Sequence, residues 1–452
     1  MTVTTELEIP DAFWERLHKL LADVQETPRH GRVVHLVGLG IEAEGPDASV
    51  GEVLTVTAPG RPPLLAEVVG FRNGRVLLMP LGDMSGIGPG ALVTSTGSAF
   101  RIPVGEGLLG RVLDGLGRPI DGGPKINPDA LRLVESDPPH PLARVPIESP
   151  LRLGIRAIDG FCTVGKGQRI GIFAGSGVGK STLMGMVARG AEADVNVICL
   201  VGERGREVRD FIERDLGDEG LRRSVVVAAT SDQPALIRVR SALVATTIAE
   251  YFRDTGRDVL LMMDSVTRFA TAQREVGLTA GEPPATKGYP PSVFGILPRL
   301  LERAGRTERG SITGVYTVLV DGDDLMDPVA DSLRSILDGH IVLSRQLAER
   351  NHYPAVDVLA SISRLMSVVA SQEHQRHASA LRSLIAAYRS AEDLIQIGAY
   401  AEGSDPKVDE AIALMPEIDR FLQQSAGHLS PWDETLTWLA ELAGSQSAGS
   451  GG

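Results

Sequence analysis

The chain has 452 residues, 43% hydrophobic and 23% charged, an ordinary composition for a soluble globular protein with room for about three domains of roughly 150 residues. Its formal net charge of −13, without any long Lys/Arg run, disfavours general binding to nucleic-acid phosphates. The two cysteines, Cys162 and Cys199, lie in or beside apolar stretches and point to a reduced compartment without a disulfide framework, and no apolar stretch approaches the ~20 residues of a membrane span.

The opening MTVTTELEIP carries acids where a secretory leader needs basic residues and an apolar run, so a cytoplasmic protein, at most peripheral to a membrane, is expected. Asp11 to Val24 place Phe13, Leu17, Leu20, Leu21 and Val24 on one helical face. Residues 1–26 therefore read as an N-terminal amphipathic helix that packs on its own domain or docks a partner. From 27 to 97, short apolar runs such as 33–37 and 75–79 alternate with Gly, Pro and Asn-Gly turns, the pattern of a small β-barrel or sandwich. Asn73-Gly74 is its clearest hairpin signal. Residues 98–150 are rich in Gly and Pro, with Pro138, Pro139, Pro141, Pro146 and Pro150 marking a connector.

Between 151 and 370, strand candidates Arg169 to Phe173, Val195 to Val201, Val225 to Ala229, Val259 to Met263 and Ile312 to Val320 alternate with helical patterns. That alternation implies a largely parallel sheet with helices on both faces, and ligands bind at the carboxyl ends of such strands. Residues 371–443 turn helical, with apolar spacing over Ala378 to Tyr400 and Val408 to Leu422, and 444–452 is a Ser/Gly-rich tail expected to be disordered. The fold class expected is thus an α/β core with an N-terminal β-barrel and a C-terminal α-helical domain.

The chemistry gathers at the carboxyl ends of the strands. Ala174-Gly175-Ser176-Gly177-Val178-Gly179-Lys180-Ser181-Thr182 joins a strand to a helix, the setting of a phosphate loop. Glycines let several N–H groups turn toward phosphates, the helix N-terminus adds partial positive charge, Lys180 adds a full one, and Ser181 can ligate Mg²⁺. The first position of the strict pattern holds Ala174 in place of Gly. Val259 to Met263 ends in Asp264, where such enzymes keep a carboxylate beside Mg²⁺. Glu203 and Glu207 both follow the 195–201 strand, and either could orient an attacking water; Glu203 is nearer the strand end. Asp321 to Pro328 reads as a turn and helix start rather than a Ca²⁺ loop, and the nine histidines show no ligand spacing.

Together with that loop, Gly202-Glu203-Arg204-Gly205-Arg206-Glu207, Asp264-Ser265-Val266-Thr267-Arg268, Tyr353-Pro354-Ala355-Val356-Asp357 and Ser361-Ile362-Ser363-Arg364 resemble the hexameric ATPases related to the catalytic subunit of rotary ATP synthases, from about Gly31 to past Arg420. Gly281 to Phe294, Asp393 to Tyr400 and Gly403 to Pro406 are similar to flagellar export and type III secretion ATPases, more to the flagellar branch. The resemblance implies a RecA-like core that hydrolyses ATP with Mg²⁺ in a homo-hexamer. Lys180 and Ser181 match phosphate and Mg²⁺ residues, Glu203 the carboxylate that polarises water, and Asp264 the acid beside the metal. Arg204 and Arg268 match arginines near the γ-phosphate, Tyr353 the tyrosine stacked on adenine, and Arg364 the finger inserted by a neighbouring subunit. The implied partners are a stator or regulator at the N-terminus, export-gate membrane proteins and chaperone–cargo complexes at the inner membrane, with no nucleic acid. Rival readings are a rotary synthase subunit, a non-hydrolysing nucleotide-binding subunit, against which Glu203 speaks, and a nucleic-acid translocase, against which the charge speaks.

Overall fold

The computed structural model describes residues 29–320 and 327–444, in two units divided after Phe100. The helix expected at 11–24, residues 321–326 and the tail from 445 onward lie outside the described residues. The first unit is a closed barrel of β1 (His30–Val37), β2 (Gly40–Glu44), β3 (Glu52–Thr57), β4 (Leu64–Arg72), β5 (Arg75–Pro80) and β6 (Leu92–Ala99), in the order β1-β2-β5-β4-β3-β6. Two-residue alternation turns Ile41, Leu54, Val56, Val68, Leu78 and Val93 inward, and all are buried. Arg72 pairs with Arg75, so Asn73 and Gly74 form a two-residue loop with φ of 52° and 74°, the turn that matches strand twist.

In the second unit, β7 (Arg101–Val104), β8 (Val112–Asp114) and β9 (Ala130–Leu133) fall within the stretch read as a connector. β7 and β9 pair with each other, and β8 joins the central sheet as an edge strand. β10 (Pro150–Leu151) and β11 (Val164–Gly165) flank α1 (Arg156–Phe161), and β12 (Arg169–Ala174) follows, leading into α2 (Lys180–Gly190). Next come β13 (Val195–Val201), a helical run over 205–222, β14 (Ser224–Ala229), α3 (Ala235–Asp254), β15 (Asp258–Asp264), α4 (Val266–Ala280) and α5 (Pro291–Leu301). β16 (Gly305–Arg306), β17 (Ser311–Leu319), α6 (Pro328–Ile336), β18 (Gly339–Leu343) and β19 (Ile362–Ser363) complete the α/β part.

The central sheet runs β19-β18-β12-β17-β15-β13-β14-β8, all parallel except β19, with β16 added antiparallel to β17. β13 and β14 are buried along their whole length, as strands covered on both faces should be. Asp327 caps α6 by accepting from the N–H groups of Val329 and Ala330, in keeping with the helix start expected there. The C-terminal part is helical: α7 (Gln372–Gln396), α8 (Pro406–Leu422) and α9 (Trp432–Gly444). Phe421 of α8 lies edge-on to Phe161 of α1 at 6.1 Å and to Trp438 of α9 at 5.4 Å, which ties the bundle to the α/β part. Both cysteines are unpaired and buried. Among the described residues no helix is long and apolar enough to cross a membrane.

One ion pair sits deep inside this unit. Arg303, 2% exposed, donates to both oxygens of Glu250 at 2.8 and 2.6 Å, to Val134 O and to Thr247 Oγ1, both at 2.9 Å. Removing one member of a buried pair leaves the other uncompensated. Arg303→Met is expected to destabilise the fold by about 3–5 kcal/mol, and Arg303→Met with Glu250→Leu by much less, as read from denaturant midpoints.

Candidate functional site

β12 ends in the middle of the sheet, between β17 and β18. Ala174 is its last residue, paired with Leu319 on one side and Leu343 on the other, so the position that departs from the strict loop pattern is a strand position where a Cβ fits. Beyond it the chain needs glycine twice: Gly177 and Gly179 have φ of 80° and 87°, a region L side chains rarely occupy. Gly179 caps α2 without a side chain, which leaves the first N–H groups of the helix facing the loop. Gly175 and Val178 are buried, whereas Ser176, Ser181 and Thr182 are exposed.

Lys180, the first residue of α2, turns back over the sheet. Its Nζ bonds Asp264 Oδ1 and lies 3.7 Å from Glu203 Oε1. Asp264 ends β15 and is held from behind by Thr317 of β17, whose hydroxyl donates to Oδ1 at 2.7 Å. Glu203, two residues beyond β13, meets Arg268 Nη2 at 3.2 Å, and Arg268 also donates to Gly202 O. Gly202 has φ 68°, and the Arg268 chain passes 3.2 Å from where a Cβ would stand, so this crossing requires glycine. Arg268 is aimed by α4, which Ser265 caps by accepting from the Arg268 N–H.

Four charged side chains at or beyond the carboxyl ends of β12, β13 and β15 thus meet in a largely buried space. Among the described residues, Glu203 Oε1 and Arg268 Nε are buried there without hydrogen-bond partners, free to take a ligand or water. Burial first, then the hydrogen bond to Glu207, then the nearby Asp264 charge push the Glu203 carboxyl up to about 7, against the pull of Lys180 and Arg268. The hydrogen bond shared with Glu203 holds Glu207 below the usual carboxylate range.

Tyr353 completes the mouth: its ring is 40% exposed and lies 3.4 Å from the position of a Gly179 Cβ. Two other expected residues stand apart from the cluster. Arg204 faces outward, paired with Glu207 at 3.2 Å. Arg364 follows β19 at the amino-end side of the sheet, exposed, with its guanidinium donating to Arg334 O at 3.2 Å. Thr317 is a member of the cluster that sequence reasoning missed; a threonine in an apolar strand is the only trace it leaves. Among the described residues, no three His, Cys, Asp or Glu side chains are grouped to hold a metal ion.

Residues 154–363 match the ATP synthase alpha/beta family nucleotide-binding domain, 24–97 the beta-barrel domain of that family, and 370–441 the T3SS EscN ATPase C-terminal domain. The chain is 55% identical over 422 residues to a flagellum-specific ATP synthase of Bacillus subtilis (strain 168), covering 92% of this chain and 96% of the relative. It is 52% identical to a type 3 secretion system ATPase of Xanthomonas euvesicatoria, covering 94% and 97%. The assembled ATPase EscN of the enteropathogenic E. coli type III secretion system superposes with a TM-score of 0.87 at 49% identity, covering 91% of this chain and all of that one. EscN in complex with its central stalk EscO gives a TM-score of 0.85 at 48% identity, again over 91% of this chain and 100% of that chain. The chain therefore belongs to the flagellar and type III secretion ATPase family, related to the alpha and beta subunits of ATP synthase, and is an ATPase.

Proposed function

We propose that the chain hydrolyses MgATP as one subunit of a hexameric ring, and that turnover energises flagellar-type protein export at the cytoplasmic face of the inner membrane. The observation that carries this is the meeting of Lys180, Glu203, Asp264 and Arg268 beside the Gly177–Gly179 turn. The loop N–H groups and Lys180 would hold the phosphates, and Tyr353 would stack on the base. Hard oxygen donors, the Ser181 hydroxyl and the Asp264 carboxylate, suit the Mg²⁺ that arrives with ATP and neutralises phosphate charge. Lys180 and Asp264 neutralise each other in the cluster; phosphate competes for the first and thereby releases the second.

Glu203, once ionised, orients the water and accepts its proton while Lys180 and Arg268 stabilise charge on the transferring phosphoryl group. Arg204 reaches the γ-phosphate only if it swings from its outward pairing with Glu207, and Arg364 acts on the site of a neighbouring subunit. The names of the relatives support both flagellar export and the injectisome, and the 52% identity to a type 3 secretion system ATPase keeps the second reading alive. A stalk protein comparable to EscO, a stator at the N-terminus, gate proteins and chaperone–cargo complexes are the proposed partners.

The test is specific activity against protein concentration, with assembly followed by light scattering. ATP turnover per subunit is expected to rise steeply as rings form. Full specific activity in a strictly monomeric fraction overturns the ring-based mechanism.

A further inference from the structure

The segment that follows α8 is bonded in more directions than a loop requires. Gln424 is 6% exposed, and its side chain uses both its acceptor and its donors. The oxygen accepts from Arg156 N–H at 3.0 Å, and the amide nitrogen donates to the carbonyls of Gly154 and His428, both at 2.7 Å. These three bonds fix the backbone of Gln424 itself. Its own N–H donates to Tyr353 O at 2.9 Å.

The same segment is anchored at the other end of the phosphate-loop helix. Arg189, in the last turn of α2, donates to Ala426 O at 2.7 Å. Arg156 takes the carbonyl of Phe421 at 2.7 Å and also bonds Gln423 O, closing the carboxyl end of α8. Residues 421–426 therefore connect the C-terminal helices to Tyr353 and to the helix that Lys180 begins. A buried glutamine with its oxygen and both N–H donors engaged is a rigid joint, because each alternative position leaves a polar group without a partner.

We infer that Gln424 is a positioning residue for the base end of the nucleotide: it holds the Tyr353 backbone so that the ring stays against the phosphate loop. This rests on the proposed role of Tyr353 as the platform for the base. Loss of the joint should weaken what the ring contacts and spare the phosphate chemistry.

The experiment uses full-length protein under conditions where rings form. Gln424→Ala is expected to raise KM for ATP about 10-fold with kcat within about twofold. Inorganic tripolyphosphate, which has no base, should inhibit the variant and the parent equally. Adding Gln424→Ala to Tyr353→Ala should cost no further affinity, because both act through one ring. Gln424→Glu keeps the acceptor for Arg156 and removes both donors, and it carries the same comparison should Gln424→Ala fail to assemble. An unchanged KM for ATP, or an equal weakening of tripolyphosphate, overturns the inference. A normal KM in Gln424→Ala beside a raised one in Tyr353→Ala overturns the positioning role alone; unchanged ATP affinity in Tyr353→Ala overturns the platform itself.

Discussion

Arg364→Ala is expected to lower ATP turnover about 10³-fold or more while leaving ATP binding nearly intact, by analogy with fingers supplied in trans elsewhere. The reason is topological. The Arg364 N–H donates to Asp338 O at 2.9 Å, just before β18 begins, whereas Lys180 lies beyond the far end of β12. β12 and β18 run parallel, and the six residues of β12 span about 20 Å. Arg364 therefore lies at the opposite end of the sheet from the phosphate loop of its own chain. An exposed arginine in that place serves a site only if a second copy brings one to it, through the head-to-tail contact that closes a ring. Mixing Arg364→Ala subunits with Lys180→Ala subunits should restore part of the rate. In a random ring about a quarter of interfaces pair an intact loop with an intact finger. Complete absence of rescue in demonstrably mixed rings removes Arg364 from the reaction.

Arg364 also marks where reading the chain alone stops. The loop at 174–182 and the Asn73-Gly74 turn were legible because each needs particular residues at fixed spacing, and the backbone angles at Gly177, Gly179 and Asn73 show the demand. Val195 to Val201 was legible because a strand buried on both faces is a nearly continuous apolar run, broken here only by Asn196. β8 has three residues and β18 five, and β18 alternates buried with half-buried positions, so neither stands out from its surroundings. Arg364 is one of 45 Lys and Arg residues and has no local pattern; only resemblance to a family singled it out. Thr317 and Gln424 share the same handicap. Their bonds reach residues 53 and 270 positions away, and no periodicity encodes a partner at that distance.

Glu203→Gln is expected to keep nucleotide binding and lower kcat about 10²–10⁴-fold, since the amide retains the shape of the side chain and can still accept from Arg268 but takes no proton from water. The pH dependence makes the assignment specific. The pH profile of kcat/KM reports groups of the free enzyme. There burial, the Glu207 hydrogen bond and the Asp264 charge push the Glu203 carboxyl up to about 7, while Lys180 and Arg268 pull it down. An acid whose pKa is raised is protonated over a wider range, and the protonated form cannot serve as the base. Wild-type kcat/KM should therefore level off above about pH 7 and fall about tenfold per unit below it, well above the ~4.3 of an ordinary glutamate. Residual turnover in Glu203→Gln should lack that limb, measured by steady-state phosphate release across the neutral range. If the limb survives the substitution, or turnover is undiminished, another carboxylate accepts the proton, and Glu207, which already shares a hydrogen bond with Glu203, is the next to examine.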